Sequence, residues 1–213
     1  GRWTFQEFAL PSFQALYAAK WTFTFTDAEG APVKVPLLKR WLSSRARLEY
    51  ATTTFNPRVC GTPECAPRDA FNWFTGFAIP REDAVENAEH AARFEWHIRH
   101  IWCCGDEIRS CYVLDWMAHT LQRPWEKPGT MIMLCGKPGV GKGVIITIFG
   151  YLVGRHYKHV QSMEDIIGRF NASVMRDSIL LFADEVSWGG ARGDAGRLKK
   201  VITEERHRTE EKG

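Results

Sequence analysis

The chain has 213 residues, of which 45% are hydrophobic, and its formal net charge at pH 7 is +3. This length allows one good core or two small ones. The small net charge is no evidence for a nucleic-acid partner, so any basic surface must be local. No apolar run is long enough to span a bilayer, and the N-terminus lacks a signal-peptide pattern. We therefore expect an intracellular protein without a membrane partner.

The six cysteines of the chain also favour an intracellular protein. Two C-x-x-C pairs would predict zinc, and they are absent. A zinc site that uses Cys60 and Cys65 stays open as an alternative. Cys111 and Cys135 fall on apolar faces and are expected as small core residues. Free thiols favour a reducing, intracellular setting.

Residues 1–80 are rich in aromatic side chains and predict a small α+β region. Residues 21–26 alternate between aromatic residues and threonine, as a strand does, and residues 27–30 predict the turn that follows. A short helix is expected within residues 36–44, and another strand within residues 52–55. The aromatic side chains are expected in a core, and stacking on nucleic-acid bases is the alternative.

Residues 81–128 predict a helical region, packed as an antiparallel hairpin. Gly105 breaks the helical pattern, and Asp106 can cap the second helix. The predicted buried faces are spaced by threes and fours. They comprise Ala84, Ala88, Ala91, Phe94, Ile98 and Ile101 in the first helix, and Ile108, Cys111, Leu114, Ala118 and Leu121 in the second. His90, His97, His100 and His119 are interpreted as surface or interface residues.

Residues 129–213 alternate between strand and helix patterns. The predicted elements are a strand at 131–135, a helix at 142–154, a strand near 157–160, a helix from Ser162, a strand at 178–183 and a helix at 192–203. This order predicts an α/β fold, with a parallel sheet and crossover helices. The sequence ends before any return strand, so we expect a C-terminally truncated, incomplete core.

The most informative segment lies between the first of these strands and its helix. It comprises Gly136, Lys137, Pro138, Gly139, Val140, Gly141, Lys142, Gly143 and Val144. The glycines allow a tight turn with several N–H groups aimed at an anion, and the helix dipole favours the same anion. Lys142 would reach the outer phosphates of ATP. Gly143 departs from the pattern, because a Ser or Thr that binds Mg²⁺ is usual there. The alternative is a glycine turn that binds nothing.

Two carboxylates follow the strand at 178–183. At the tip of a strand beside the first, Asp184 would hold Mg²⁺ and Glu185 would polarise the attacking water, which is the Walker B arrangement. An ordinary helix start would explain the pair if it stood alone. Its distance from the glycine loop favours a nucleotide site, with Lys142 and Glu185 as the catalytic residues.

Several segments resemble superfamily 3 primase–helicases of phages, plasmids and large DNA viruses. The resemblance covers roughly residues 36–213, and five elements fall in order. They are Asn72–Ala78, Tyr112–Ala118 with Gln122 and Pro124, Gly168–Asn171, Asp184–Glu185 with Trp188–Gly190, and Leu198–Gly213. That branch often lacks the hydroxyl at the position of Gly143. The resemblance implies an AAA+-like P-loop ATPase.

The resemblance also implies a function in DNA replication. Such proteins are ATP-driven helicases, usually hexameric, that move on single-stranded DNA, are often fused to a primase, and lie in the host cytoplasm when phage-encoded. Their channel hairpin would carry Lys199, Lys200, Arg206, Arg208 and Lys212 here. A solvated charged helix end is the alternative for these residues. An assembly module or switch that remodels protein, and a non-hydrolysing DNA-binding scaffold, are the alternative functions.

Overall fold

The computed structural model describes residues 10–17, 20, 22–58, 69–79, 83–168, 171–184 and 192–204. The chain divides into two compact units, Gly1–Tyr50 and Ala51–Gly213. Residues 51–79, which the sequence groups with the N-terminal region, therefore lie in the second unit. Within the described residues, no helix has the length and apolar character needed to cross a membrane.

The first unit contains two helices and a β-hairpin. Helix α1 spans Leu10–Tyr17, strand β1 spans Thr22–Thr26, strand β2 spans Pro32–Pro36, and helix α2 spans Leu37–Leu42. The strands pair antiparallel. Asp27 Oδ1 shapes the turn by accepting from the backbone N–H groups of Glu29 at 3.0 Å and Ala31 at 2.8 Å. The predicted strand, turn and short helix are confirmed.

The aromatic residues of β1 are not core residues. Phe23 and Phe25 are 41% and 38% exposed, so the expectation that aromatic side chains of this region lie in a core is wrong for these two. A two-stranded ribbon has no second layer of its own that would cover both faces. The Arg40 guanidinium lies 4.6 Å from the Phe23 ring centroid and partly covers it.

The second unit begins with two short parallel strands, β3 at Thr52–Thr54 and β4 at Ala70–Asn72. Asn72 ties the strand ends together. Its Oδ1 accepts from the Asn56 N–H at 2.9 Å, and its Nδ2 donates to the Asn56 carbonyl at 3.0 Å. Asn72, part of the primase–helicase resemblance, therefore has a structural role in this fold.

Two helices follow, as predicted. Helix α3 spans Ala88–His97, and helix α4 spans Glu107–Gln122. A π-helical turn at Ile98–Trp102 extends the first helix. Asp106 caps α4 as expected, because its side chain accepts from the Arg109 N–H at 3.0 Å. Asn87 caps α3 in the same way, which the sequence analysis did not anticipate.

The predicted buried faces of these helices are partly wrong. In α3, Ala88 and Ala91 are exposed, as is Ala84 before the helix, whereas Ile98 is completely buried. In α4, Ile108 is 85% exposed and Cys111 is exposed. The buried positions of α4 are Ser110, Val113, Met117 and Thr120.

Internal hydrogen bonds explain the shifted face of α4. The Ser110 hydroxyl donates to the Glu107 carbonyl at 2.9 Å, and the Thr120 hydroxyl donates to the Trp116 carbonyl at 2.9 Å. Because these hydroxyls are satisfied within the helix, they can be buried at little cost. A prediction that counts only apolar residues as buried therefore places Ser110 and Thr120 on the surface.

The remaining elements confirm most of the predicted alternation. They are α5 at Lys142–Val153, β5 at Tyr157–Val160, α6 at Glu164–Ile167, α7 at Ala172–Met175, β6 at Leu180–Ala183 and α8 at Arg192–Thr203. Strands β5 and β6 are parallel, with Tyr157 opposite Leu180 and Val160 opposite Ala183. The two short helices α6 and α7 lie in the connection between them. The described part of the second unit is therefore α/β, with two parallel strand pairs, β3 with β4 and β5 with β6.

The predicted strand at residues 131–135 is wrong. These residues belong to no helix or strand. A strand requires a neighbour for its backbone groups, and no backbone hydrogen bond joins this segment to another described residue. Cys135 is exposed as well, so the expectation that it is a core residue fails with the strand.

His156 lies at the centre of a buried cluster in the second unit and is fully shielded from solvent. Its Nδ1 lies 2.8 Å from the Asp177 carbonyl, and its Nε2 lies 3.3 Å from the Thr75 N–H. The Thr75 N–H can only donate and the Asp177 carbonyl can only accept, so the ring is neutral with its proton on Nδ1. The rings of Phe55 and Phe74 lie 5.3 and 5.0 Å from its centroid.

Candidate functional site

The glycine loop forms a tight turn at the start of α5. Gly139 and Gly141 have φ angles of 79° and 86°, in the left-handed region that side chains disfavour. Gly141 is the residue before the helix, and Lys142 is its first residue. The N-terminal N–H groups of α5 thus begin where the loop ends, which favours an anion at this point.

Lys142 folds back over this loop. Its ammonium Nζ donates to the Gly136 carbonyl at 2.9 Å and to the Lys137 carbonyl at 2.7 Å. These contacts hold the positive charge against the loop and the start of the helix. Pro138, Gly139 and Val140 are exposed, so the loop is open to solvent. An anion could therefore reach it without rearrangement of the core.

Helix α5 anchors the loop in the core. Ile145, Ile146, Phe149 and Val153 are buried, whereas Val144 is 50% exposed. On the strand side, the helix approaches β5 closely at Gly150. A Cβ added to Gly150 would lie 2.6 Å from ring atom Cδ1 of Tyr157. Gly143, where a hydroxyl would be usual, has no atom within 4 Å of an added Cβ.

Asp184 directly follows β6 and is exposed. It lies at the end where the parallel strands β5 and β6 both terminate, so the predicted place at the tip of a strand is confirmed. The predicted neighbour of that strand, at residues 131–135, is not a strand. Burial raises the pKa of the Tyr157 phenol, and the charges of Asp184 and Tyr151 raise that pKa further. The predicted water-activating residue, Glu185, lies outside the described residues.

The predicted DNA-binding residues fall into two groups. Lys199 and Lys200 lie on α8, and both are exposed. Arg206, Arg208 and Lys212 lie outside the described residues. The end of α8 is held by Lys127, whose Nζ donates to the carbonyls of Val201 and Glu204, each at 2.8 Å. Burial lowers the pKa of Lys127, an effect that the nearby Glu204 opposes.

One residue of the site was not predicted. His97, the last residue of α3, places its ring Nε2 3.0 Å from the carbonyl oxygen of Gly141. The two residues are 44 positions apart, and the sequence analysis assigned His97 to a surface or interface. No local pattern links a histidine in one helix to a glycine loop in another segment.

Two observations bear on whether these residues suit a triphosphate with Mg²⁺. The Lys142 ammonium lies against the loop, and the exposed side chain of Asp184 directly follows β6. Within the described residues, no three His, Cys, Asp or Glu side chains are grouped to hold a metal ion. Mg²⁺ at nucleotide sites uses one or two carboxylates together with the phosphates, so such a group is not required. Cys60 and Cys65, the alternative zinc ligands, lie outside the described residues.

Comparison with known proteins adds one finding. Residues 134–213 match DUF5906, a family of unknown function. The match includes the glycine loop, α5, β5, β6 and the two carboxylates that follow β6. Comparison with curated proteins and with solved structures gave no significant match.

Proposed function

We propose that this chain is the ATP-hydrolysing domain of a DNA helicase or translocase. In this proposal the loop at 136–143 binds the phosphates of ATP, and the hydrolysis drives movement along single-stranded DNA during replication. The protein would act as a homo-hexamer, with a primase fused or associated. The second unit would then contain an AAA+-like P-loop sheet, of which β5 and β6 are a part.

The observation that carries the proposal is the position of Lys142. Its ammonium is held by two carbonyls of the loop, at the N-terminus of a helix whose other end is buried. Fixing this charge in advance lowers the entropic cost of binding an anion, since the side chain is already ordered.

The carboxylates after β6 supply the rest of the proposed chemistry. Asp184 would hold Mg²⁺, which neutralises charge on the phosphates when it is bound. Glu185 would orient and polarise the attacking water. Because Gly143 has no hydroxyl, Asp184 is the proposed protein ligand of the metal.

The test is ATP turnover by purified protein, with and without single-stranded DNA. We expect DNA to stimulate turnover, and Glu185→Gln to reduce it about 10²–10⁴-fold, the usual contribution of a general base. Mg²⁺–ATP should still bind to that variant. Turnover that survives in Glu185→Gln would contradict the assignment of this residue. Stimulation by a protein partner in place of DNA would favour a remodelling ATPase.

The DNA contacts are tested separately. Replacement of Arg206, Arg208 and Lys212 by alanine should abolish the stimulation by DNA and leave basal turnover intact. It should also flatten the salt dependence of DNA binding, because each phosphate contact on a single strand contributes about 0.7 to the slope of log affinity against log salt. A triple variant with wild-type salt dependence would leave these charges as a solvated surface.

A further inference from the structure

The contact between His97 and the glycine loop is specific in direction. The Gly141 carbonyl can only accept a hydrogen bond, so Nε2 of His97 must carry a proton and donate. Only a side chain with a donor at this position can replace the contact. The geometry therefore distinguishes between substitutions of similar size.

The contact is also close. A Cβ added to Gly141 would lie 2.9 Å from Cε1 and 3.2 Å from Nε2 of His97. The ring can occupy this place only because residue 141 has no side chain. Gly141 has a left-handed φ of 86°, so its lack of a side chain serves both its own turn and the approach of His97.

The backbone next to His97 is anchored in the core. His97 directly precedes the π-helical turn at Ile98–Trp102, and Ile98 is fully buried. Ile98 packs in the same core as Ile145 and Phe149 of α5. One core thus fixes both the histidine and the helix that follows the loop, and the hydrogen bond joins them at the loop itself.

We propose that His97 is a positioning residue for nucleotide binding, which holds the glycine loop in the conformation that receives phosphate. It acts through the Gly141 carbonyl, on the residue directly before Lys142. This inference rests on the proposed nucleotide binding by the loop. Without the contact, the loop populates other conformations, and the apparent affinity falls with the fraction that remains competent.

The test compares two variants of similar size in the otherwise intact protein. His97→Gln keeps an N–H donor near the position of Nε2, and His97→Leu keeps the bulk without a donor. With a fluorescent ATP analogue and Mg²⁺ as the probe, His97→Leu should bind about three- to tenfold more weakly, the value of one net hydrogen bond. His97→Gln should stay close to wild-type affinity.

A matched histidine serves as the control. His119 on α4 places its Nε2 3.0 Å from the backbone carbonyl of Glu126, a contact of the same type at a different loop. His119→Leu should leave the affinity for the nucleotide unchanged. Melting temperatures of all variants show whether any loss of affinity reflects a loss of folded protein.

The outcomes separate the two proposals. If Lys142→Ala abolishes binding but His97→Leu and His97→Gln both bind like wild type, the role of His97 is wrong and the nucleotide site stands. Equal losses in His97→Leu and His97→Gln would also overturn the role, because the donor would then be irrelevant. If Lys142→Ala binds like wild type, the proposed function itself fails.

Discussion

The glycine loop and the His156 cluster organise the second unit in opposite ways. The loop is exposed, and Lys142 reaches carbonyls only five and six residues before it. The cluster is buried, and His156 bonds to groups 21 and 81 residues away in sequence. The contacts of Lys142 are therefore local, and the hydrogen bond from His97 is a longer-range contact of the loop. The cluster joins distant segments of the chain through both hydrogen bonds and ring contacts.

Because of this difference, we expect substitutions in the loop to change nucleotide binding and substitutions in the His156 cluster to change the stability of the fold. A polar group at an exposed loop contributes little to folding, because water satisfies it in the unfolded chain as well. A buried ring that joins three segments contributes through packing and through hydrogen bonds that water cannot replace. Substitutions in the two regions should therefore affect different measurements.

The largest expected effect is on stability. His156→Ala leaves a cavity between Phe55 and Phe74 and removes the hydrogen-bonding partner of Asp177 and Thr75. The free energy of unfolding should fall by about 3–5 kcal/mol, as for other buried rings replaced by alanine. Chemical denaturation measures this loss. A change below about 1 kcal/mol, typical of exposed sites, would mean that the cluster does not hold the segments together.

Lys142→Ala should show the converse behaviour. Loss of the cation that we propose faces the phosphates should weaken ATP binding, by about 2–5 kcal/mol when the bound phosphates shield that cation from water. The free energy of unfolding should hardly change, since among the described residues the Lys142 ammonium donates to carbonyls of its own loop. Calorimetric titration with Mg²⁺–ATP measures the affinity. If Lys142→Ala were destabilised as strongly as His156→Ala, the contrast between the regions would be lost.

The same contrast explains what the sequence could predict. Helix α5, strand β5, strand β6 and helix α8 were predicted because their apolar periodicity is local. The glycine loop was predicted because three glycines and a lysine at fixed spacing carry its geometry. The distant hydrogen bonds of His97 and His156 have no local signature, so neither could be inferred.

The errors have the same origin. A strand at 131–135 depends on a pairing partner that no local pattern specifies, so its apolar composition was misleading. On α4, the buried face includes Ser110 and Thr120, because their hydroxyls bond within the helix. Tertiary context decided both cases.

Two glycines of α5 allow the packed part of the helix and the part next to the loop to be compared. Gly150→Ala places a methyl group against the Tyr157 ring and should lower the free energy of unfolding by about 1–3 kcal/mol, as overpacking does. Gly143→Ala, next to the loop, meets no neighbour within 4 Å and should be neutral or stabilising by up to about 1 kcal/mol. Thermal denaturation of both variants tests this. Equal destabilisation would contradict the close packing of α5 on β5.

The smallest effect is the pH dependence of the cluster. Burial lowers the pKa of His156 from its ordinary value of 6.5, and the positive charges of Arg155 and Lys158 lower it further. The hydrogen bond to the Asp177 carbonyl and the Asp177 carboxylate oppose this shift. The folded protein therefore keeps this ring neutral at pH values where the unfolded chain binds a proton.

The sign of the effect follows from proton linkage. Between pH 6.5 and the lower pKa of His156 in the folded protein, the unfolded state binds more protons, so the free energy of unfolding falls as the pH falls. One proton limits the slope to about 1.4 kcal/mol per pH unit.

Denaturation of wild type and His156→Gln at several pH values between neutral and mildly acidic conditions isolates this contribution, because the other histidines titrate equally in both. The difference in stability between the two proteins should narrow as the pH falls. A constant difference would mean that the His156 ring accepts its proton as readily in the folded cluster as in water.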